Sequence, residues 1–386
     1  MPWQEQSPMD LRMQFMNELR SGLFTMSELC AQYAISRPTG YKWAARYGQE
    51  GAAGLADRSR RPHAHPATTA PEVVAAVLAA RRRFPDWSGA KLVQWLARQQ
   101  PDRDWPRRTT AYEILRRAGT VRQRRRRVRA PVRHGSALQT AKTANEVWTP
   151  AFKGEFLTGD GRYCHPLTVR DAFSRQVLRC DALLAQTYLE TRRRFERAFA
   201  EFGLPERMRS DNGRPFASTG LAGLSRLNVW WLRLGIIVER IAPGHPEQNG
   251  SHEQFHAVLK KATTRPPAAN VRAQQRRFDR FCTLYNEQRP HEALQGRVPA
   301  DVSEPSVRRL PARLPRLEYE AHCEVRVVAS NGDVAWKGRR LFVSAALAEL
   351  PIAFEEVDDA LFTVWFGSVA LARFDERQWH FTSVLL

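Results

Sequence analysis

Arg207-Met-Arg-Ser-Asp-Asn-Gly213 is the stretch that decides the fold of this chain. Residues 207–210 read as a short strand, Asp211 stands at its end, and the Asn-Gly pair turns the backbone. Upstream, Thr187–Phe202 has helical spacing, with Leu189, Phe195 and Phe199 towards the core and Gly203 and Pro205 as the stop. Before that helix, Glu146–Leu157, Cys164–Ala172 and Arg175–Ala182 read as strands, the first two joined by the hairpin signal Gly159-Asp160-Gly161-Arg162. Downstream, Ala217–Leu234 reads as a helix with Trp230 and Trp231 packed under the acid, and Ile236–Ile241 as the next strand. A loop over Pro243–Asn249 and helices over Ser251–Ala262 and Ala268–Glu287 complete an expected mixed α/β unit.

The flanks carry different patterns. Residues 9–47 read as three short helices, with Leu11, Phe15 and Leu19 spaced four apart, Ser27 capping Glu28–Tyr33, and Ser36 capping a third that runs towards Tyr47. The turn Ala34-Ile35-Ser36 has the length a helix-turn-helix requires, so the third helix would present Arg37, Thr39, Tyr41, Lys42 and Arg46 to a nucleic acid. A basic spacer follows, in which Arg58, Arg60 and Arg61 are placed to lie along phosphates. A second tri-helical pattern covers Glu72–Phe84, Ser88–Gln99 and Arg108–Ala118, with Arg108, Thr109, Thr110 and Tyr112 opening its last helix. Between Arg116 and Arg133 stand nine arginines and no acid, Arg124, Arg125, Arg126 and Arg127 among them; self-repulsion makes this an arm that orders on a polyanion. Cys323–Leu386 alternates with period two between turns such as Asn331-Gly332-Asp333, predicting a small all-β, barrel-like module.

The expected division is therefore an N-terminal helix-turn-helix over 1–53, a basic linker over 54–71 and a second helix-turn-helix over 72–119. An arginine-rich arm follows over 120–143, the α/β core over 144–299, a linker over 300–318 and the β module over 319–386.

Composition agrees with a nucleic-acid partner. Lys and Arg number 60 against 40 acids, a net charge of +20 that calls for a polyanion. The five cysteines are odd in number and lack CxxC spacing, which excludes a disulfide framework and a structural zinc and fits a reducing cytoplasm. The longest purely apolar run, Val73–Ala80, is too short for a bilayer, and no signal-peptide pattern opens the chain.

Cutting or joining a phosphodiester by in-line displacement benefits from two Mg²⁺ (or Mn²⁺) ions about 3.5–4 Å apart, held by carboxylates from separate elements. Asp211 at a strand end and Glu253 at a helix start suit two of those stations. The strand segment Trp148-Thr-Pro-Ala-Phe-Lys-Gly154 suits the third, but position 151 is alanine.

Ser210-Asp-Asn-Gly213, Gly244-His-Pro-Glu-Gln-Asn-Gly-Ser-His-Glu253 and Tyr285-Asn with Arg289-Pro-His291 together resemble the DDE transposases and integrases, specifically insertion-sequence enzymes of the IS481 kind. Ser36-Arg-Pro-Thr-Gly-Tyr-Lys-Trp43, Gly54-Leu-Ala-Asp-Arg-Ser-Arg-Arg-Pro62 and Phe152-Lys-Gly-Glu-Phe-Leu-Thr-Gly-Asp-Gly161 resemble the same group, so the likeness covers nearly the whole chain. It implies an RNase H-like fold for the core, Asp211 and Glu253 as second and third metal-binding acids, and a first acid expected where Ala151 stands. Relatives often have 35 residues between the last two acids, whereas 41 intervene here; Glu247 would restore the shorter interval. Glu253 is preferred because the group's glutamate follows an Asn-Gly pair by three residues, on a helix. Asp160 and Asp171 are the nearest acids to 151, yet one sits in a hairpin turn and the other at a strand end. Lys260, two turns beyond Glu253 on the same helix face, is placed for a DNA phosphate.

The resemblance further implies an oligomer of at least two subunits, terminal inverted repeats and target DNA as partners, and a bacterial, nucleoid-associated location. Loss of the first acid alone, in an otherwise intact pattern, reads as an engineered knock-out rather than decay. A non-catalytic DNA-binding regulator derived from a transposase is the rival reading.

Overall fold

The computed structural model describes residues 7–59, 68–121, 138, 140–218, 220–242, 248 and 250–383. The chain divides into two compact units, with the boundary between Thr69 and Ala70.

The first unit is a three-helix module. Helices α1 (Pro8–Arg20), α2 (Met26–Gln32) and α3 (Arg37–Glu50) enclose Phe15, Met16, Leu29, Cys30 and Trp43, with Leu55 of a short 3-10 turn closing the base. Ser7 and Asp10 form a capping box on α1. The cap of α2 is Thr25 rather than Ser27, because Glu28 reaches back to the Thr25 amide and completes a second capping box. Leu11 is 40% exposed, so Phe15 and Met16 carry the buried side of α1. Gly40 lets α2 and α3 approach: a Cβ there would stand 2.6 Å from Cys30 Sγ.

In the second unit, α4 (Pro71–Arg83), α5 (Gly89–Gln99) and α6 (Arg108–Arg117) bury Val77, Phe84, Trp87, Leu92, Trp95 and Leu115. The core sheet then begins with β1 (Val147–Phe152), β2 (Phe156–Leu157), β3 (Tyr163–Asp171) and β4 (Val177–Leu183). Helix α7 (Tyr188–Phe202), capped by Thr187, leads to β5 (Arg207–Ser210). Helix α8 (Arg226–Arg233), strand β6 (Ile237–Arg240) and helices α9 (Gly250–Thr263) and α10 (Val271–Glu287) follow. Strand β1 lies between antiparallel β3 and parallel β5; β4 lines the far side of β3 and β6 the far side of β5.

Alternation along β1 and β3 separates two layers. Trp148, Leu167 and Val169 face α7 and α8 in a cluster with Phe195, Phe199, Trp230 and Trp231. Cys164, Val177 and Cys180 pack with Phe255, Phe278, Phe281 and Tyr285 of α9 and α10. Leu189 does not join the core: it is 63% exposed, because Thr191, Phe195, Ala198 and Phe199 take the buried stripe of α7.

Of the stretch 217–225, expected as helix, the described residues 217, 218 and 220–225 are not helical apart from the 3-10 turn Leu221–Gly223. The Leu221 amide donates to the Val343 carbonyl, Leu224 enters the core of the β module, and Ser225 with Asn228 forms the capping box that starts α8. Packing and a cap override helical spacing there.

The C-terminal module comprises β7 (Glu324–Val327), β8 (Asp333–Trp336), β9 (Arg339–Phe342), β10 (Pro351–Asp358), β11 (Leu361–Phe366), β12 (Val369–Asp375) and β13 (His380–Ser383). These form an open five-stranded sheet, β13-β12-β11-β10-β7, and a separate β8-β9 hairpin, rather than the expected barrel. The hairpin packs Trp336 onto Phe354, Phe362 and Phe374 instead of bridging the sheet's two edges.

Candidate functional site

Strand register brings two of the three expected stations, 151 and 211, to the same level of the sheet. Val147 pairs with Arg207 and Trp148 with Met208 in parallel, so three residues further on Ala151 is level with Asp211. Ala151 faces Thr168 across the antiparallel ladder, on the side of the sheet that α9 covers. Asp211 is half-buried, and its Oδ1 accepts the Gly213 amide at 2.9 Å. That Asx turn holds Gly213 against the carboxylate: a Cβ there would lie 3.1 Å from Oδ1.

Thr168 joins the position of the missing acid to α9. Its hydroxyl donates to the Ala151 carbonyl at 3.0 Å and lies 2.7 Å from His252 Nε2 and 2.8 Å from His256 Nε2. A hydroxyl has one proton and two lone pairs, so with the proton on Ala151 both imidazoles donate to Thr168. His252 Nδ1 lies 3.1 Å from Thr149 Oγ1, a hydroxyl that donates to the Arg170 carbonyl at 3.3 Å. Burial, with His256 and Arg170 nearby, holds the His252 pKa well below its usual value; burial, Lys153 and Arg170 push that of His256 down to about 3.

Arg170 adds a second tie. Its buried guanidinium donates to the Ser251 carbonyl at 3.0 Å and lies 4.6 Å over the Phe255 ring. The first turn of α9 is thus anchored on both sides of Glu253, which is itself exposed. These anchors were not among the residues singled out from sequence. The pair His252 and His256, four apart on either side of Glu253, was the available signal, because that spacing stacks two rings on one helix face.

The two acids nearest 151 have structural duties. Asp160 Oδ1 accepts from Thr158 Oγ1 at 2.5 Å within the hairpin turn. Asp171 accepts from the Ser174 amide and hydroxyl, each at 2.6 Å, and from the Asn145 amide at 2.8 Å. Burial raises the Asp171 pKa despite those bonds. Among the described residues, no group of three or more His, Cys, Asp or Glu side chains is placed to hold a metal.

The remaining candidates fall into several groups. On α3, Arg37, Tyr41 and Lys42 are exposed, while Thr39 is half-buried with its hydroxyl 2.9 Å from that of Ser36. Arg37 also donates to Ser27 Oγ. Cations crowd the Trp43 ring, with Arg12 at 4.0 Å, Lys42 at 4.6 Å and Arg46 at 5.1 Å. Arg58 pairs with Glu50, a surface contact easily exchanged for a phosphate. Arg108, Thr109, Thr110 and Tyr112 are exposed along the first turns of α6, and Lys260 is exposed on α9. Arg60, Arg61 and Arg124 to Arg127, with most of the arm and the loop over 243–247, lie outside the described residues.

The chain is similar in part to several known proteins. A homeodomain-like domain model matches residues 39–115, a helix-turn-helix domain model residues 11–63, and an integrase core domain model residues 234–299. An uncharacterized 31.7 kDa protein of insertion element IS407 from Burkholderia multivorans is 29% identical over 199 residues, covering 50% of this chain and 67% of that protein. An uncharacterized 39.2 kDa protein of insertion element IS476 from Xanthomonas euvesicatoria is 28% identical over 197 residues, covering 49% of this chain and 52% of that protein. Among solved structures, the HTLV-2 integrase catalytic core domain in complex with magnesium matches at a TM-score of 0.34, with 15% identity over 42% of this chain and 99% of that one. No helix among the described residues is long and apolar enough to cross a membrane. The chain thus carries helix-turn-helix domains and an integrase core domain, and is similar over about half its length to proteins of insertion elements.

Proposed function

We propose that this chain is a DDE transposase of the IS481 kind that binds the terminal inverted repeats of an insertion sequence, and that alanine at 151 has removed the first acid of its triad. The observation that carries this reading is the link from β1 through Thr168 of β3 to α9: the Thr168 hydroxyl bonds the backbone of residue 151 and the histidine next to Glu253, while Asp211, just past the end of β5, is level with 151. The reading assigns DNA binding to the modules at 1–53 and 72–119, with the basic linker over 54–71 and the arm over 120–143 along the backbone. The core over 144–299 carries the chemistry, and the linker at 300–318 leads to the β module at 319–386. An oligomer of at least two subunits pairs the two element ends.

Within the chain as it stands, each residue has a limited task. Asp211 and Glu253 remain as the metal-binding acids, and Lys260 is positioned to neutralise a DNA phosphate. With an acid restored at 151, three carboxylates would hold the Mg²⁺ ions that neutralise charge at the transferring phosphate. Without it, cleavage of the element ends and strand transfer into target DNA should fall by about a thousandfold or more, since a metal supplies several kcal/mol. End binding should survive.

The test is cleavage of duplex bearing the host element's ends by Ala151→Asp and by the parent, in Mg²⁺. Ala151→Asp should nick at the repeat boundary and the parent should not, with equal footprints on the repeats. Absence of cleavage by Ala151→Asp alongside an intact footprint would favour the second reading, a DNA-binding regulator, which the alanine at 151 by itself supports.

A further inference from the structure

The helical module α4–α6 is fixed to the core along one face of α5, and that junction contains more positive charge than its acids balance. Arg98 forks onto Asp301, and Gln94 lies against Gly296, where a Cβ would meet Gln94 Nε2 at 2.7 Å. Arg289 lies 5.8 Å over the Trp87 ring and 5.7 Å over that of Tyr285, and the His291 ring packs 4.8 Å from Tyr285. Lys91 stands one turn before Gln94 on α5 and is half-buried.

Among the described residues, neither Lys91 nor Arg289 has an ion pair. Asp86, the acid beside Arg289, is bound to Lys261 of α9. Glu292 is the one carboxylate that favours the charged form of Lys91, against burial and Arg289, which together take its pKa to about 8. His291 Nε2 is buried with no hydrogen-bond partner. Burial and the surrounding cations, Lys91 and Arg289 first, hold its pKa near about 3. Half-buried cations without ion pairs around an orphaned ring nitrogen are costly unless an anion completes them.

The position suggests which anion. Gly89, two residues before Lys91, packs against the backbone of α6, with a Cβ there 3.3 Å from the Tyr112 amide nitrogen. The start of α5, which carries Lys91, is therefore packed on α6, the helix whose first turns expose Thr109, Thr110 and Tyr112.

We propose that Lys91, Arg289 and His291 form a site for one phosphate group, filled in the working protein by a backbone phosphate of the duplex that α6 contacts. The assignment to DNA rests on the functional reading above; the phosphate site itself does not. A phosphate held there contacts both the helical module and the core, so it sets the register of DNA running from one to the other.

Two probes of the full-length chain test this: a short random-sequence duplex titrated across a salt series, and inorganic phosphate followed by thermal unfolding against chloride at equal ionic strength. In Lys91→Gln the log–log salt slope should fall by about 1, and the phosphate-dependent rise in Tm should vanish. Lys91→Arg should retain both. Arg289→Gln should behave as Lys91→Gln does, but its ring stacking makes it the less robust to fold, so Lys91→Gln decides. Loss of phosphate stabilisation with an unchanged duplex slope would assign the site to a small phosphate and overturn the DNA part. A parent that binds no duplex, yet is stabilised by phosphate through Lys91, would sink the DNA-binding function and leave the site standing. Unchanged slope together with unchanged phosphate stabilisation overturns the site.

Discussion

Thr168 holds together three groups that no local rule of sequence connects. Its hydroxyl serves one strand carbonyl and two imidazoles, so replacing it by valine of similar shape strands two buried N–H groups and a C=O at once. Thr168→Val should cost about 2–3 kcal/mol in urea unfolding, whereas Thr168→Ser should cost less than about 1 kcal/mol. Equal losses would mean that the methyl, not the hydroxyl, matters.

The same histidines give stability a pH dependence. Their folded pKa values lie below the unfolded 6.5, so the unfolded chain binds more protons as the solution is acidified. Their contribution is complete above about pH 6.5 and is lost as pH falls from there towards about 3, by up to about 1.4 kcal/mol per pH unit for each ring. Urea midpoints at pH 7 and pH 5 check this, and His256→Gln should flatten the difference. A chain equally stable at both values would contradict neutral, buried rings.

At the scale of elements, what the sequence made legible was spacing, and what it concealed was partnership. Strand β5 with Asp211 at its end, the meander before it and the buried Phe195 and Phe199 follow from period and turn chemistry alone. The first helix-turn-helix was legible too, apart from the cap, where Thr25 displaced Ser27 because Glu28 completes the box only with Thr25. Residues 217–225 have helical spacing, but their apolar side chains belong to a cluster whose other half lies more than a hundred residues downstream, in the β module. The open β sheet was misread as barrel-like for a similar reason: alternation reports two faces and says nothing of whether the edges meet. At the candidate site, Asp211 and Glu253 are picked out by residue type and spacing alone, while Thr168 and Arg170 act through contacts with α9 that only the fold supplies.

Gly203 illustrates such a contact between elements. It ends α7 at φ +80°, and a Cβ there would stand 2.7 Å from the Arg308 carbonyl oxygen and 2.8 Å from that of Ser306. The segment leaving the core is therefore laid against the end of α7, fastened by the Leu204 amide donating to Arg308 at 2.7 Å. Gly203→Ala should destabilise the second unit by about 2 kcal/mol or more, read as a lower urea midpoint. A neutral substitution would show that the segment is not held there.

For the whole molecule, the helix-turn-helix domains and the +20 charge carry the proposed hold on DNA, and the end of the sheet near 151 and 211 carries the proposed chemistry. The central claim is that positions 151, 211 and 253 form one divalent-ion pocket that alanine has opened. Titration of Mn²⁺ into the parent and into Ala151→Asp tests it without any DNA. Ala151→Asp should bind Mn²⁺ at least about tenfold more tightly, a gain of about 1.4 kcal/mol, and adding either Asp211→Asn or Glu253→Gln should abolish the gain. Equal affinity in the parent and in Ala151→Asp, or a gain that survives both further substitutions, would contradict the account.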